Sequence, residues 1–269
     1  MSAIRTAFDR LRRQRRKALI PFVMGGDPSL QATGPLLLAL QEGGADLIEI
    51  GIPFSDPLAD GPTLQAASAR ALARGATPAK ILSAVASVKR RLHVPIIALS
   101  YWNLLLQFGG TTGPAAVRAF ITAAKHSGLA GVIVPDLPVE AASALRAAEE
   151  ADGFSMVLLA APTSPAERLR AIARASQGFI YYVSVTGTTG ARRRLPPALA
   201  HGIRQLRLLT TKPICVGFGI STPSQAVGVA RLADGVIVGS ALVAALHEGG
   251  PRRAAHTARV FLRRFRNAL

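Results

Sequence analysis

Carboxylates are scarce in this chain, and four of them fall close together. The 269 residues contain 15 Asp and Glu against 32 Lys and Arg. Asp46, Glu49, Asp56 and Asp60 lie within 15 residues of one another, and the next acid along the chain is Asp136. Two carboxyl groups in different surroundings can divide acid and base work between them. The segment 46–60 is therefore the first candidate for a catalytic site.

Glu49 interrupts a run of branched aliphatic residues, Leu-Ile-Glu-Ile at 47–50. A carboxylate in a buried strand is costly to desolvate unless it faces a functional cavity. The structural alternative is that Glu49 points inward and pairs with an arginine, or that it lies at a strand end in solvent. Burial would raise the pKa of Glu49 and make it a proton donor or acceptor near neutral pH. We therefore predict that Glu49 is catalytic.

The loop after this strand carries a second catalytic candidate. Residues 51–62 read Gly-Ile-Pro-Phe-Ser-Asp-Pro-Leu-Ala-Asp-Gly-Pro, with three prolines and two glycines. Such a loop is rigid and irregular. We predict a catalytic role for Asp60, although Asp60-Gly61 is also an ordinary turn signal.

Three later segments place glycines at strand ends, namely 184–190, 217–221 and 239–240. Glycines let backbone N–H groups approach an anion closely, and the start of a helix adds a positive dipole end. In (β/α)8 enzymes a phosphate group is often held by the loops after the last two strands. These segments therefore predict a ligand that carries a phosphate monoester.

The elements that must position these residues alternate along the whole chain. Eight short apolar runs are strand candidates: 18–24, 47–52, 94–100, 131–134, 155–159, 179–183, 213–216 and 235–238. Continuously apolar strands are typical of a parallel sheet covered on both faces. Longer helix patterns lie between them at 114–127, 140–151, 165–176 and 222–232. Ser164 and Thr222, each followed by Pro, are predicted helix N-caps.

Eight such units predict an α/β fold of the (β/α)8 TIM-barrel type, with an open doubly wound sheet as the alternative. Residues 3–16 precede the first strand and predict an extra N-terminal helix across the bottom of the barrel. Segments 64–74 and 78–91 predict added helices between the second and third strands. No linker or low-complexity tract divides the chain, so we expect a single domain over residues 1–269.

Composition narrows the class of protein further. A hydrophobic content of 49% argues against disorder, and no apolar run reaches the roughly 20 residues of a membrane helix. The single cysteine, Cys215, and the lack of a signal-peptide pattern predict a cytoplasmic protein. The five histidines are scattered, and no nucleotide-binding motif is present. We therefore expect no metal and no cofactor.

The net charge of +17 raises the question of a nucleic-acid partner. The basic residues are divided among three places, 5–17, 192–194 and 252–266, rather than gathered in one recognition element. The sequence shows no zinc-finger spacing and no basic stretch interleaved with aromatic residues. A solvated basic surface that attracts anionic small molecules is the favoured interpretation.

Four segments closely resemble the tryptophan synthase alpha chain family: 48–62, 133–138 (Ile-Val-Pro-Asp-Leu-Pro), 184–192 (Ser-Val-Thr-Gly-Thr-Thr-Gly-Ala-Arg) and 216–223 (Val-Gly-Phe-Gly-Ile-Ser-Thr-Pro). The resemblance runs from about residue 21 to 246. It implies a lyase of tryptophan biosynthesis that cleaves indole-3-glycerol phosphate to indole and glyceraldehyde 3-phosphate by a retro-aldol reaction without a cofactor.

The resemblance also implies roles for individual residues. Glu49 would protonate indole C3 and help remove the glycerol hydroxyl proton, and Asp60 would hydrogen-bond the indole N–H. Tyr181 matches a tyrosine that contacts the glutamate region. The implied indole slot consists of Phe22, Leu99, Tyr101 and Phe218, and the implied phosphate side of the substrate site consists of Thr189, Gly190, Gly219, Gly239 and Ser240.

Members of this family pair with a pyridoxal-phosphate beta chain, two alpha with two beta, and indole passes between the two sites through a tunnel. The resemblance places Asp56, Pro135 and Asp136 towards that partner, and it implies that this chain does not itself bind pyridoxal phosphate. Two alternatives remain open at this point. One is a stand-alone lyase that releases free indole, and the other is a non-catalytic barrel that binds anions or nucleic acid.

Overall fold

The protein forms a closed barrel of parallel strands, seen in a computed structural model that describes residues 2–142, 153–183, 197–217 and 219–269. The strands are hydrogen-bonded in the order β1 to β8, and β8 pairs back to β1. The predicted (β/α)8 fold is thus confirmed, and the open-sheet alternative is wrong because the first and last strands pair. The strands are β1 Ala18–Met24, β2 Ile48–Gly51, β3 Ile96–Leu99, β4 Leu129–Ile133, β5 Ser155–Ala160, β6 Ile180–Val183, β7 Ile214–Gly217 and β8 Gly235–Val238.

Helices surround the barrel on its outer side. They are α1 Ala3–Arg13, α2 Leu30–Glu42, α3 Pro62–Ala73, α4 Pro78–Val88, α5 Trp102–Leu106, α6 Gly113–Ser127, α7 Ala166–Ala175, α8 Pro197–Leu209, α9 Pro223–Ala230 and α10 Ser240–Arg266. Helix α10 is kinked at Gly250, which precedes Pro251. The added helices between β2 and β3 are present as α3 and α4. Most of the helix predicted at 140–151 lies outside the described residues. No helix in the described parts of the chain is long and apolar enough to cross a membrane.

Helix α1 closes the bottom of the barrel, as predicted from its position before β1. Ile4 on its buried face packs where a side chain on Gly131 or Gly178 would otherwise lie. Asp46 also lies at this end, because its carboxylate accepts the Leu19 N–H at 3.0 Å and a hydrogen bond from Arg266 at 2.8 Å. Asp46 therefore stabilises the fold. It lies at the opposite end of the barrel from the mouth, which is the end formed by the C-terminal ends of the strands.

The two predicted helix caps have different outcomes. Thr222 accepts the Gln225 N–H, and the Gln225 side chain accepts the Thr222 N–H, which completes a capping box at the start of α9. Ser164 does not cap α7, and that prediction is wrong. The Ser164 hydroxyl instead accepts the Ala161 N–H at 3.1 Å, and the helix begins after Pro165. The hydroxyl closes the turn that precedes the helix, so it is not available to the helix itself.

Candidate active site

Glu49 lies in β2 and is only 1% exposed. Its backbone is in register with Phe22 of β1 and Ile97 of β3. Neither carboxyl oxygen has a hydrogen-bond partner among the described residues. Burial, and secondarily the negative charge of Asp60, raises the pKa of Glu49 from its usual 4.5 to about 8. Glu49 is therefore mainly a neutral carboxylic acid at neutral pH.

Asp60 lies in the loop after β2, which is the C-terminal end of the strand and the usual catalytic face of such barrels. It is half-buried, and burial raises its pKa from 3.8 to about 6, while a hydrogen bond with Tyr101 opposes that rise. Asp60 is therefore mainly a carboxylate at neutral pH. The structure thus brings together two carboxyl groups that act on each other electrostatically and hold different charges.

Two buried side chains, from Tyr101 and Ser68, hydrogen-bond the backbone of the loop 52–61 that carries Asp60. The Tyr101 hydroxyl accepts the Ala59 N–H at 3.1 Å, and its ring stacks on Phe54 with centroids 5.2 Å apart. The Ser68 hydroxyl of α3 accepts the Phe54 N–H at 2.8 Å and donates to the Phe54 carbonyl at 2.7 Å. The sequence reasoning missed Ser68 and Phe54. A serine among the buried residues Leu64, Ala67 and Ala71 of α3 was the available signal.

The predicted apolar residues line the same end of the barrel. Phe22 is buried, and its ring occupies the space beside Gly51, where a Cβ would come within 2.7 Å of it. Leu99 is in register with Gly51 and is buried. Tyr181 is buried, and its hydroxyl lies where a side chain on Gly217 would be. Its pKa is raised well above the usual value, first by burial and then by the charges of Glu49 and Asp60. Tyr181 therefore shares the electrostatic environment of the two carboxyl groups.

Of the residues predicted to bind the phosphate, the structure describes Gly219, Gly239 and Ser240. Gly219 follows β7 with a φ of 77°, and a Cβ there would meet no described atom within 4 Å. Gly239 follows β8 beside Phe22, and Ser240 begins α10 and is exposed. Backbone N–H groups at the start of a long helix are suited to an anion. Thr189, Gly190 and Phe218 lie outside the described residues.

The residues predicted to face a partner lie on the loops around this end of the barrel. Asp56 and Asp136 are exposed, and Pro135 is half-buried. The Asp136 carboxylate accepts the Trp102 N–H at 2.9 Å, which connects the loop after β4 to the start of α5. Leu58, beside Asp56 in the β2 loop, is 91% exposed. The loop thus presents an apolar side chain to solvent next to a negative charge.

The fold and this site define a class of protein: a (β/α)8-barrel enzyme with two carboxyl groups and several buried apolar side chains at the C-terminal ends of its strands. Among the described residues, no group of three or more His, Cys, Asp or Glu side chains could hold a metal ion.

Comparison with known proteins identifies the family. The family model described as "Tryptophan synthase alpha chain" matches residues 8–268. The tryptophan synthase alpha chain of Gloeobacter violaceus is 48% identical over 266 residues, covering 98% of this chain and 94% of the relative. The solved alpha subunit of Legionella pneumophila superposes with a TM-score of 0.89 at 34% identity, covering 100% of this chain and 98% of that one. The chain belongs to the tryptophan synthase alpha chain family.

A further solved structure comes from an assembled enzyme. It describes the tryptophan synthase a2b2 complex of the hyperthermophile Pyrococcus furiosus, and the matched chain has a TM-score of 0.85 at 38% identity. That match covers 93% of this chain and 98% of the other.

Proposed function

We propose that the chain cleaves indole-3-glycerol phosphate to indole and glyceraldehyde 3-phosphate, with Glu49 and Asp60 as its catalytic residues. One observation carries the assignment of these roles. Glu49 is fully buried in β2 without a hydrogen-bond partner among the described residues, whereas Asp60 in the following loop is half-buried, and burial raises the pKa of Glu49 to about 8 and that of Asp60 to about 6. At neutral pH the first is a proton donor and the second is an anion.

The reaction can be written with these two groups alone. Neutral Glu49 donates its proton to indole C3, and the positive charge that forms on the indole ring is stabilised by Asp60, which accepts the indole N–H. The Glu49 carboxylate then removes the proton from the glycerol hydroxyl next to the ring. The bond between indole C3 and the side chain breaks, its electrons return to the ring, and the hydroxyl carbon becomes the aldehyde. Glu49 ends protonated, so the cycle is closed.

The remaining residues are proposed to bind the two ends of the substrate. Phe22, Leu99 and Tyr101 would contact the flat indole ring, with Tyr181 beside Glu49. The phosphate would lie against the backbone N–H groups at Gly219, Gly239 and Ser240, where the helix dipole of α10 favours an anion. Thr189, Gly190 and Phe218 are proposed to complete these two subsites.

We propose that a tryptophan synthase beta chain binds over the mouth of the barrel in an assembly of two alpha and two beta chains. This proposal is supported by the exposure of Leu58 and Asp56, which lie in the loop after β2. A groove of about 610 Å³ beside them is lined by residues of the same loop and of α3, which are Phe54, Ser55, Pro57, Pro62, Gln65, Ala66, Ala69 and Leu72.

We also propose a cytoplasmic location, since the chain has one cysteine, Cys215, which is a buried free thiol.

The test of the proposed reaction is a steady-state assay of indole release from indole-3-glycerol phosphate. We expect Glu49→Gln to lower turnover by about 10²–10⁴-fold, because the amide keeps the shape of the side chain but holds no transferable proton. The matched control is Glu42→Gln, an exposed acid at the end of α2. Near-normal turnover of Glu49→Gln, with the chemical step limiting, would refute the acid–base role.

A further inference from the structure

The loop that carries Asp60, residues 52–61 between β2 and α3, has little structure of its own to hold the carboxyl group in place. Ser55, Asp56, Leu58 and Ala59 are exposed, and the loop between β2 and α3 has no regular secondary structure. Its first residue, Ile52, donates its N–H to the Leu99 carbonyl at 2.8 Å, but the backbone hydrogen bonds beside Asp60 are short-range, such as Asp60 N–H to the Pro57 carbonyl at 3.0 Å. A catalytic carboxylate must nevertheless be held within a fraction of an ångström of its working position. Something outside the loop must therefore fix it.

Ser68 fixes the first part of the loop. Its side chain is 1% exposed, and its hydroxyl satisfies both the N–H and the carbonyl of Phe54, 14 residues earlier. Ser68 is itself held in place because the same helix carries Arg70, two residues further on. The Arg70 guanidinium binds both oxygens of the buried Asp27 at 3.0 and 2.7 Å, which joins α3 to the loop after β1. The Phe54 backbone is thus fixed to a helix that is secured to the barrel.

Tyr101 fixes the second part of the loop. Its ring is 2% exposed and stacks on the Phe54 ring, with 29° between the ring planes. Its hydroxyl accepts the Ala59 N–H at 3.1 Å, and it lies near enough to the Asp60 carboxyl group to oppose the rise in the pKa of that group. Because residue 59 precedes Asp60 directly, this hydrogen bond fixes the backbone from which the carboxylate projects.

We infer that Ser68 and Tyr101 are positioning residues for Asp60, acting as one unit because the Phe54 side chain and backbone connect them. This inference rests on the proposed catalytic role of Asp60. Neither residue needs to contact the reacting atoms in this role. Ser68 fixes the backbone of Phe54, Phe54 packs against Tyr101, and the Tyr101 hydroxyl holds the backbone next to Asp60.

The first experiment compares Ser68→Ala with Ser127→Ala, assayed for indole release with saturating beta chain. Ser127 is the matched control, because it is also a buried helical serine, but the one partner of its hydroxyl in the described parts of the chain is the Ala124 carbonyl within α6. We expect Ser68→Ala to lower kcat by about tenfold to a hundredfold with little change in KM, the size of effect that a misplaced catalytic group produces. Ser127→Ala should keep the wild-type kcat. Circular dichroism establishes that both variants are folded.

The second experiment removes the tyrosine hydroxyl alone. Tyr101→Phe keeps the ring stacked on Phe54, and Tyr182→Phe is its control, since the buried Tyr182 hydroxyl has no partner among the described residues. We expect Tyr101→Phe to lower kcat and to move the acidic limb of the pH–rate profile to higher pH, because the hydrogen bond that lowers the pKa of Asp60 is gone. Tyr182→Phe should change neither quantity.

The double variant Ser68→Ala/Tyr101→Phe tests whether the two residues act as one unit. If Ser68 acts through Tyr101, the double variant loses no more activity than Tyr101→Phe alone. Multiplied losses, or a Ser68→Ala kcat equal to that of Ser127→Ala, would overturn the inference. Asp60→Asn is measured alongside. Full activity of Asp60→Asn would instead refute the proposed function, so the two failures are distinguishable.

Discussion

At the scale of single residues, the chemistry depends on how differently two carboxyl groups are buried. Glu49 is enclosed within β2 and has no hydrogen-bond donor among the described residues, so its charged form is disfavoured. Asp60 is half-buried, and a hydroxyl hydrogen-bonded to its carboxylate favours the charged form. The same functional group is therefore suited to the proposed role of an acid at one position and of an anion at the other.

Burial of Glu49 also predicts how stability depends on pH. The folded-state pKa is raised, so the stability associated with Glu49 is fully present below about pH 4.5 and is lost as pH rises through about 8. Glutamine does not titrate. We therefore expect the free energy of unfolding of Glu49→Gln, relative to wild type, to increase as pH rises between these values. Each pKa unit corresponds to about 1.4 kcal/mol, so the increase amounts to a few kcal/mol.

Urea denaturation of both proteins at a series of pH values measures this difference. The exposed variant Glu42→Gln serves as the control, and its stability relative to wild type should change far less over the same range. A constant difference between Glu49→Gln and wild type would mean that Glu49 is already ionised in the folded protein.

At the scale of elements, the proposed anion-binding edge depends on where two strands end. Gly219 follows β7 in a left-handed conformation, with no described atom within 4 Å of where its Cβ would be, and Gly239 lies between β8 and the first residue of α10. A backbone free of side chains, next to a helix N-terminus, offers N–H groups to a phosphate.

We expect Gly219→Val to lower the affinity for glycerol phosphate, because its branched side chain would enter the space from which the phosphate approaches. The matched control is Gly110→Val. Gly110 has a φ of 74° and equally open surroundings, so both variants carry a similar backbone strain. Isothermal titration calorimetry of the folded variants measures the binding. Equal affinities for Gly219→Val and Gly110→Val would place the anion elsewhere.

At the scale of the whole molecule, the two ends of the barrel have different compositions. The mouth carries the proposed catalytic carboxyl groups of Glu49 and Asp60 and the exposed residues Asp56 and Leu58. The opposite end carries α1 with its exposed arginines, and Asp46 there binds both Arg16 and Arg266. The basic termini are thus joined to each other at the bottom, away from the proposed beta-chain surface.

We expect added beta chain from the same source to raise the lyase rate, because binding over the mouth would order its loops and exclude water from the site. The measurement is indole release against beta-chain concentration. Leu58→Asp should weaken the response, whereas Arg13→Gln, on the exposed face of α1, should leave it unchanged. A high rate that no beta chain alters would favour the stand-alone lyase.

Much of the fold follows from the sequence, because strands buried on both faces must be continuously apolar. The runs at 18–24 and 235–238 predicted β1 and β8 with their observed bounds. Glu49 could be selected for the same reason, since a charge in such a run needs a functional explanation. Thr222 bonds to a residue of the helix that it starts, so its cap could be predicted from the local sequence. The prediction for Ser164 was wrong because its hydroxyl could bond either the helix or the turn before it, and it bonds the turn.

Only the tertiary structure decided which distant residues act together. Asp46 and Glu49 are three residues apart, yet Asp46 binds arginines at the bottom of the barrel and Glu49 lies within β2, because the chain between them is extended along the barrel. Ser68, Phe54 and Tyr101 meet although no sequence motif links them. The pKa values of Glu49 and Asp60 likewise depend on burial that β1, β3 and Tyr101 supply. Spacing along the chain predicts local structure, whereas solvation and contact between remote side chains exist only after the barrel has closed.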